Sequence, residues 1–358
     1  VQEQVELMTS EYIMQKNTGG EESIKKYYQN QASKGEISSI KDNGDNTYTI
    51  SKDGYEVKID ENGKVIDLNE KETVASTDVW YKIDGTILHL SNSDLGGYTK
   101  HDESLFRPNW TGISPTDNPS PITKVIFDNE IAPTSMKRWF QGCINLTKFE
   151  NMHYLNTSNA TTMEYTFLYC NSLTNLDISN FDTSNVTTMQ SMFSGCSSLT
   201  NLDVSNFNTS NVELITGMFQ DCSSLTSIDV SNFDTSNVRA MTWLFYNCSS
   251  IENIDLSNFD TRKINNMYVM FSGCTNLKSL NISSFDTSNV TQMRGTFQNC
   301  SSLTNLDVSN FNTSKVTMMD EMFDGCSSLK ELDLSSFDTT LVVYFRQNLL
   351  NNVTCPVY

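Results

Sequence analysis

The sequence predicts an α/β solenoid, built from 26-residue units that each contribute one short strand and one short helix, behind a small α+β N-terminal domain. Three observations carry that expectation. First, nine cysteines stand at 143, 170, 196, 222, 248, 274, 300, 326 and 355, separated by 27, then six times by 26, then by 29 residues. A period held that strictly marks a structural repeat. Second, apolar residues recur in register inside each period. Val186, Met189, Met192, Phe193, Cys196, Leu199, Leu202, Val204 and Phe207 are matched by Val212, Ile215, Met218, Phe219, Cys222, Leu225, Ile228, Val230 and Phe233. Third, only 37% of the 358 residues are hydrophobic, below the roughly 45–50% usual for globular chains on a count that includes Gly. One spherical core is poorly supplied, whereas stacked units share an elongated interior that none could bury alone.

Each element follows from the spacing. Met189, Met192, Phe193 and Cys196 fall at i, i+3, i+4 and i+7, one face of a short helix. Thr183-Ser184-Asn185 precedes them with side-chain oxygens suited to capping its first N–H groups. Leu202-Asp203-Val204 then alternates as a strand does, and Ser205-Asn206 supplies a turn before Phe207. Strands pack roughly 4.8 Å apart and helices about 8–10 Å apart, so the strand side is expected to be the inner, concave one. No proline occurs between residues 134 and 355, as a parallel ladder needing every N–H requires.

Outside the array the pattern changes. Val5, Met8 and Tyr12 predict an amphipathic helix ended by Thr18-Gly19-Gly20, and Ile24, Tyr27 and Tyr28 a second one. Asn43-Gly44, Asp53-Gly54 and Asn62-Gly63 then punctuate short strands at Tyr48–Ile50, Tyr55–Ile59 and Lys64–Ile66, a β-meander. This layout suits a small spacer domain and also a type IV pilin-like subunit. Trp80–Ile83 and Ile87–Leu90 predict a hairpin around Asp84-Gly85. The expected divisions are 1–75 for the helix-and-meander domain, 76–121 for a hairpin and Pro-rich N-terminal cap, 122–340 for the array, and 341–358 for a C-terminal cap, where Asn352 replaces the cysteine due in register.

Charge and composition exclude several functions. Forty-three acidic and 24 basic side chains give a formal charge of −19. Such a surface repels nucleic acid and anionic lipid. No apolar run approaches the 18 residues of a membrane helix. The chain opens at Val1, which leaves room for a leader, an anchor or a tag upstream. No catalytic constellation is visible among the three histidines (His89, His101 and His153) and their neighbours, so an enzyme is not expected.

The recurrent columns are the candidate sites. One cysteine every 26 residues lacks the convergent local ligands of zinc. Side chains that all point one way do not meet as disulfides, so buried free thiols are the expected state, with Cys355 out of register. Asp177, Asp203, Asp229, Asp255, Asp307 and Asp333, interrupted by Asn281, form a second column opposite the Leu and Val side chains, on the expected concave face, and are the candidate binding or weak cation column. Like charges about 5 Å apart repel by roughly 1 kcal/mol per pair in water. Solvent, neighbouring Ser and Asn donors, or weakly bound calcium must relieve that; no other cofactor is expected. The phenylalanine and methionine ladders read as core.

The repeat Phe-x-x-Cys-x-x-Leu-x-x-Leu-Asp-x-Ser-Asn-Phe-x-Thr-Ser-Asn-Val-x-x-Met resembles that of BspA-like leucine-rich-repeat surface proteins. More narrowly, it resembles the mycoplasma lipoprotein-associated domain of unknown function, as does the lead-in Ile122–Phe127, Ala132–Ser135, Trp139-Phe140 and Gly142-Cys143. The likeness covers about residues 120–345. It implies a right-handed leucine-rich-repeat coil on a bacterial cell surface or in a secreted protein. It also implies adhesion to an extracellular protein or glycan of a host or neighbouring cell; a monomer is expected. It supplies no catalytic residues. A stiff spacer or pilus-associated stalk with no dedicated ligand is the alternative.

Overall fold

The computed structural model describes residues 39–42, 47–52, 55–60, 65–70 and 77–358, without 103, 104, 106, 113–118 and 343–348. The chain divides into two compact units, Val1–Val74 and Ala75–Tyr358. In the first, strands β1 (Ser39–Asp42), β2 (Thr47–Lys52), β3 (Tyr55–Asp60) and β4 (Val65–Glu70) form an antiparallel meander in chain order. β1 pairs Ile40 with Ile50 and precedes the strands that the turn signals suggest. Ile50 and Ile59 are fully buried. The two helices expected over residues 1–32 lie outside the described residues.

The second unit opens with β5 (Trp80–Asp84) and β6 (Ile87–Ser91), an antiparallel hairpin, and β7 (Thr99–Lys100) flanks β5. β6 then pairs in parallel with β8 (Lys124–Phe127), and β8 with β9 (Lys148–Glu150). The sheet is therefore mixed, in the order β7-β5-β6-β8-β9. Leu88, Leu90, Val125 and Phe127 are its buried face. From β9 onward the chain stacks 26-residue units. The Leu-x-Leu segments pair as regular strands at β10 (Asn253–Asp255) and β11 (Ser279–Asn281). Single parallel bridges join Thr162 to Thr188, Leu214 and Ala240 in succession, and Asn266 to Gln292 and Met318.

The α/β solenoid that the spacing predicts does not form. Among the described residues the repeats hold no α-helix, and the chain does not form the alternating strand–helix coil of a leucine-rich-repeat protein. Among the described residues the only helical segment is the single 3₁₀ turn Met152–Tyr154, and the regular structure is β, in parallel and antiparallel sheets. Where the spacing predicts a helix, the backbone makes two consecutive turns. In the unit of Cys196 these close through Met192 N–H to Met189 O (3.2 Å) and Cys196 N–H to Phe193 O (3.1 Å), with Ser194 N–H to Ser191 O (3.3 Å) bridging the two. The intervening amides leave the unit: Met189, Ser191, Phe193 and Gly195 donate to the carbonyls of Leu214, Thr216, Met218 and Gln220 at 2.7–3.0 Å. Ser191 and Gly195 have φ of 50° and 73°, which no right-handed helix contains.

Apolar residues spaced i, i+3, i+4, i+7 still face inward across such a double turn, and so their pattern imitates a helix. The phenylalanine column shows why a helix would not fit. Phe140, Phe167, Phe193, Phe219, Phe245, Phe271, Phe297 and Phe323 stack at centroid distances of 5.4–6.0 Å and interplanar angles of 3–23°. Units about 6 Å apart cannot hold helices that need about 8–10 Å. Burying each ring contributes about 2–3 kcal/mol, and offset stacking adds about 0.5–1.5 kcal/mol per pair. A second column continues it, with Phe311 stacked on Phe337 at 6.4 Å and 8°.

Candidate functional site

The six aspartates singled out from sequence are all exposed, each flanked by buried or half-buried apolar neighbours. Each is engaged by the serine two residues on. Asp177 Oδ1 accepts from the Ser179 amide (3.0 Å) and hydroxyl (2.7 Å). The amides of Ser205, Ser231, Ser257, Ser309 and Ser335 reach Asp203, Asp229, Asp255, Asp307 and Asp333 at 2.8–2.9 Å. These are side-chain-closed turns, and the same bonds hold all six carboxyls below their usual range. The serine hydroxyl is the larger influence at Asp177, Asp229, Asp307 and Asp333, and the amide at Asp203 and Asp255. Asn281 keeps the turn without charge, accepting from the Ser283 amide at 3.2 Å. Among the described residues no cluster of three or more His, Cys, Asp or Glu side chains could hold a metal ion.

The other polar columns hold the units together. Thr183, Thr209, Thr235, Thr261, Thr287 and Thr313 are 1–2% exposed. Each hydroxyl bridges to one residue of the next unit. Thr235 Oγ1 donates to Asp260 O (3.1 Å) and accepts from the Asp260 amide (2.7 Å). Asn206, Asn232, Asn258 and Asn310 donate Nδ2 to carbonyls of the preceding unit, as Asn232 does to Val204 O (3.1 Å) and Phe207 O (2.8 Å). The cysteines do likewise: Cys196 Sγ donates to Phe167 O at 3.3 Å and Cys222 Sγ to Phe193 O at 3.2 Å. All nine are free, and those from 143 to 326 are buried. Burial pushes the thiols of Cys143, Cys196, Cys274 and Cys326 up to about 12. They are weak sulfur donors in the core.

The residues that differ from unit to unit lie in the double turns, where Gly217, Val269 and Gly295 are buried and Ser191, Trp243 and Glu321 are half-buried. Ser191, Gly217, Trp243, Val269, Gly295 and Glu321 occupy one position there. Their backbones run in a straight ladder: Ser191 N–H to Thr216 O (2.9 Å), Gly217 to Thr242 (2.9 Å), Trp243 to Tyr268 (3.2 Å), Val269 to Arg294 (3.0 Å) and Gly295 to Asp320 (2.9 Å). The position three residues on varies as widely, with Ser194, Gln220, Tyr246, Ser272, Gln298 and Asp324. Arg138 lies over the Tyr165 ring at 4.3 Å near one end, and Arg294 pairs with Asp320 at 2.8 Å near the other. Between them the half-buried ring of Trp243 meets Tyr246 at 4.8 Å and Tyr268 at 5.4 Å. Sequence reasoning centred on the aspartates missed this strip. The variation itself, set against the constancy elsewhere, is the signal that marks it.

Beside the strip runs a shallow groove of about 510 Å³ lined by Asp221, Asn247, Gly273, Asn299 and the Ser/Thr residues after each cysteine. Asn247 Nδ2 donates to Asp221 Oδ1 at 2.9 Å, and Gln220 Nε2 to Asp221 Oδ2 at 3.0 Å. His89 is part of a separate polar cluster at the hairpin. Its Nδ1 lies 3.1 Å from Asp128, which also accepts from the Tyr98 hydroxyl at 2.6 Å. Burial, and then that hydrogen bond, push the Tyr98 phenol up. The cluster ties β6 to the residue after β8. Among the described residues no helix is long and apolar enough to cross a membrane.

No curated protein and no solved structure matches the chain. The family described as Mycoplasma protein of unknown function, DUF285, matches twice, over residues 134–253 and 240–354, and so spans the stacked units. The chain therefore belongs to the Mycoplasma protein family of unknown function DUF285.

Proposed function

We propose that the chain is a non-catalytic binding module of a bacterial cell-surface or secreted protein. The stack is its scaffold, and the double turns carry its contact surface for an extracellular protein or glycan. One observation carries the reading: side-chain variation falls on the double-turn strip, while the Asp, Asn, Thr and Cys columns are committed to turns and inter-unit bonds. A recognition surface must vary, and columns used for stacking cannot. The repeat's likeness to BspA-like surface proteins supports the location and the adhesive role. In this reading residues 76–121 and 341–358 close the two ends of the stack, as the β6–β8 pairing and the Leu332–Val357 bridge suggest.

The test is an array of extracellular-matrix proteins and glycans probed with the full chain. Two variants are compared with it, one with Trp243, Tyr246 and Tyr268 replaced by Gly, Ser and Gln, the other with the six column aspartates replaced by Asn. The strip variant is expected to lose capture and the column variant to keep it. The reverse result would overturn the assignment. The uniformity of the polar columns also favours the spacer as a second reading. If that is correct, neither variant changes anything and no ligand is captured.

A further inference from the structure

We infer that the aspartate column is a conformational device: facing like charges keep the Leu-x-Leu sides of neighbouring units from pairing as strands, and screening or removing those charges closes that side into a parallel sheet. The inference is independent of what the double turns bind. The two sides of a unit are bonded unequally. Along the double turns, backbone bonds cross every interface from the unit of Cys143 to that of Cys326. Met163, Tyr165, Phe167 and Tyr169, for example, donate to Thr188, Gln190, Met192 and Ser194 at 2.7–3.0 Å. On the other side, the amide after each column residue tells paired units from unpaired ones. Leu256 N–H reaches Asn281 O (2.9 Å) and Leu334 N–H reaches Tyr358 O (2.8 Å). The amides of Ile178, Val204, Val230, Ile282 and Val308 make no backbone bond to a described residue.

Charge separates the two classes. Where the sides pair, no acid faces an acid. Glu150 faces Ile126 across β8 and β9 and bridges to Lys124 (3.6 Å) and Lys148 (2.7 Å). Asp255 faces Asn281 across β10 and β11, with Glu252 bridged to Lys278 at 2.8 Å beside them. Asp333 stands opposite Tyr358, next to the Leu332–Val357 bridge. Where the sides do not pair, the column runs Glu150, Asp177, Asp203, Asp229 and Asp255 in succession, and then Asp307 and Asp333. Between Lys148 and Arg239 the sequence holds no Lys or Arg to offset these charges. The Ser205 amide holds the Asp203 carboxyl low and the Ser309 hydroxyl that of Asp307, yet the charges of Asp229 and Asp333 pull them the other way. Only Asn281 and Asp307 stay apart without repulsion, and there the residue equivalent to Lys278 in the next unit is Thr304, which offers no carboxylate to bridge.

The opposing energies are close enough for charge to decide. Like charges directly opposite on neighbouring strands oppose pairing. Their repulsion in water is of the same order as the net worth of one backbone hydrogen bond. A segment as short as β10, with 3 residues, gains few such bonds. The double turns hold regardless, because each interface there has several backbone bonds, such as the set from Met163 to Tyr169, over a buried phenylalanine. Salt reaches the repulsion at this range. The Debye length falls from about 30 Å at about 0.01 M to about 3 Å at about 1 M, against a strand spacing of roughly 4.8 Å.

Hydrogen exchange of the full chain, read amide by amide by NMR in about 10 mM and about 1 M NaCl, tests the inference. At low salt the amides of Val204 and Val230 should exchange at least about tenfold faster than that of Leu256. High salt should slow them while leaving the double-turn amides of Phe193 and Phe219 unchanged. Asp229→Asn, which copies Asn281, should slow both at low salt. Asn281→Asp, which restores the column, should speed the exchange of Leu256. Should that variant fold poorly, Asp229→Asn and the salt series decide. Equal exchange of Val204 and Leu256 at low salt, or folded variants that leave exchange unchanged, overturns the inference. So does a salt effect as large at Phe193 and Phe219, because salt then stabilises the whole stack rather than closing one side of it.

Discussion

A buried threonine does here what a strand partner does in an ordinary sheet. Thr235 is 2% exposed, and its hydroxyl both donates to and accepts from the backbone of Asp260 in the next unit, at 3.1 and 2.7 Å. Thr235→Val keeps the shape and removes both bonds, leaving a buried amide and carbonyl less satisfied. It is expected to cost about 1–3 kcal/mol, read as a lower urea midpoint. Thr235→Ser keeps the hydroxyl and should cost only about 1 kcal/mol for the lost methyl. Glycine 273 carries a different constraint. Its φ is 81°, and a Cβ there would meet the Asn247 side-chain oxygen and backbone of the neighbouring unit, whereas Gly85, at φ 62°, has nothing within 4 Å of such a Cβ. Gly85→Ala should cost about 1–2 kcal/mol for the left-handed conformation alone. Gly273→Ala should cost measurably more, and equal midpoints for the two variants would show that the units do not approach as closely as described.

The repeating element is a pair of side-chain-closed turns joined by a double turn, and acid should weaken it. Hydrogen bonds depress the carboxyls of the six-member column and of Asp234, Asp286 and Asp338, while the Arg262 side chain depresses Asp260. A depressed folded-state value stabilises above the unfolded carboxyl's pKa of about 3.9, and that stabilisation is lost as pH falls through the folded value. The thermal midpoint should therefore hold from neutrality down to about pH 5 and then drop. Replacing the column aspartates by Asn should preserve the turns, as Asn281 and Asn208 do, and reduce the acid sensitivity. An unchanged acid limb in that variant would place the titration elsewhere. The period, the buried columns and the stacked phenylalanines were legible because a strict repeat puts like residues over like. The double turn was not, because Met189, Met192, Phe193 and Cys196 give the same inward pattern on a helix. One clue lay in the position before each cysteine from 196 to 326, held by Gly195, Asp221, Asn247, Gly273, Asn299 and Gly325. These are the residue types that tolerate positive φ, and they recur where a helix would need its last turn. The strip was hidden for another reason: an aspartate column looks like a site until each carboxylate is found already engaged.

Across the stack, side-chain hydroxyls, amides and thiols supplement a sparse apolar interior, and the bonds of the Thr, Asn and Cys columns each join a residue to one about a repeat away. Register, rather than length, should then govern what the second compact unit tolerates. Deleting Gly195–Gln220 joins Ser194 to Asp221 and returns every column to its partner: Thr183 would meet Asp234 in place of Asn208, and Phe193 would stack on Phe245. One unit and one interface are lost from a stability that is approximately a sum of such contributions. The protein should still unfold in a cooperative transition at a modestly lower midpoint. The half-unit deletion Gly195–Phe207 removes fewer residues, but it sets the double turn of one unit against the Leu-x-Leu segment of the next. It leaves buried hydroxyls and carbonyls unpaired in every column it crosses, and it should abolish the folded state of the array. Circular dichroism and thermal unfolding of the two deletions separate the cases. If the shorter deletion proves the milder, the inter-unit bonds do not hold the stack. Because Trp243, Tyr246 and Tyr268 lie beyond the excised unit, the in-register deletion should also retain whatever the strip binds. A deletion that unfolds the array should lose it, tying the contact surface to the scaffold that presents it.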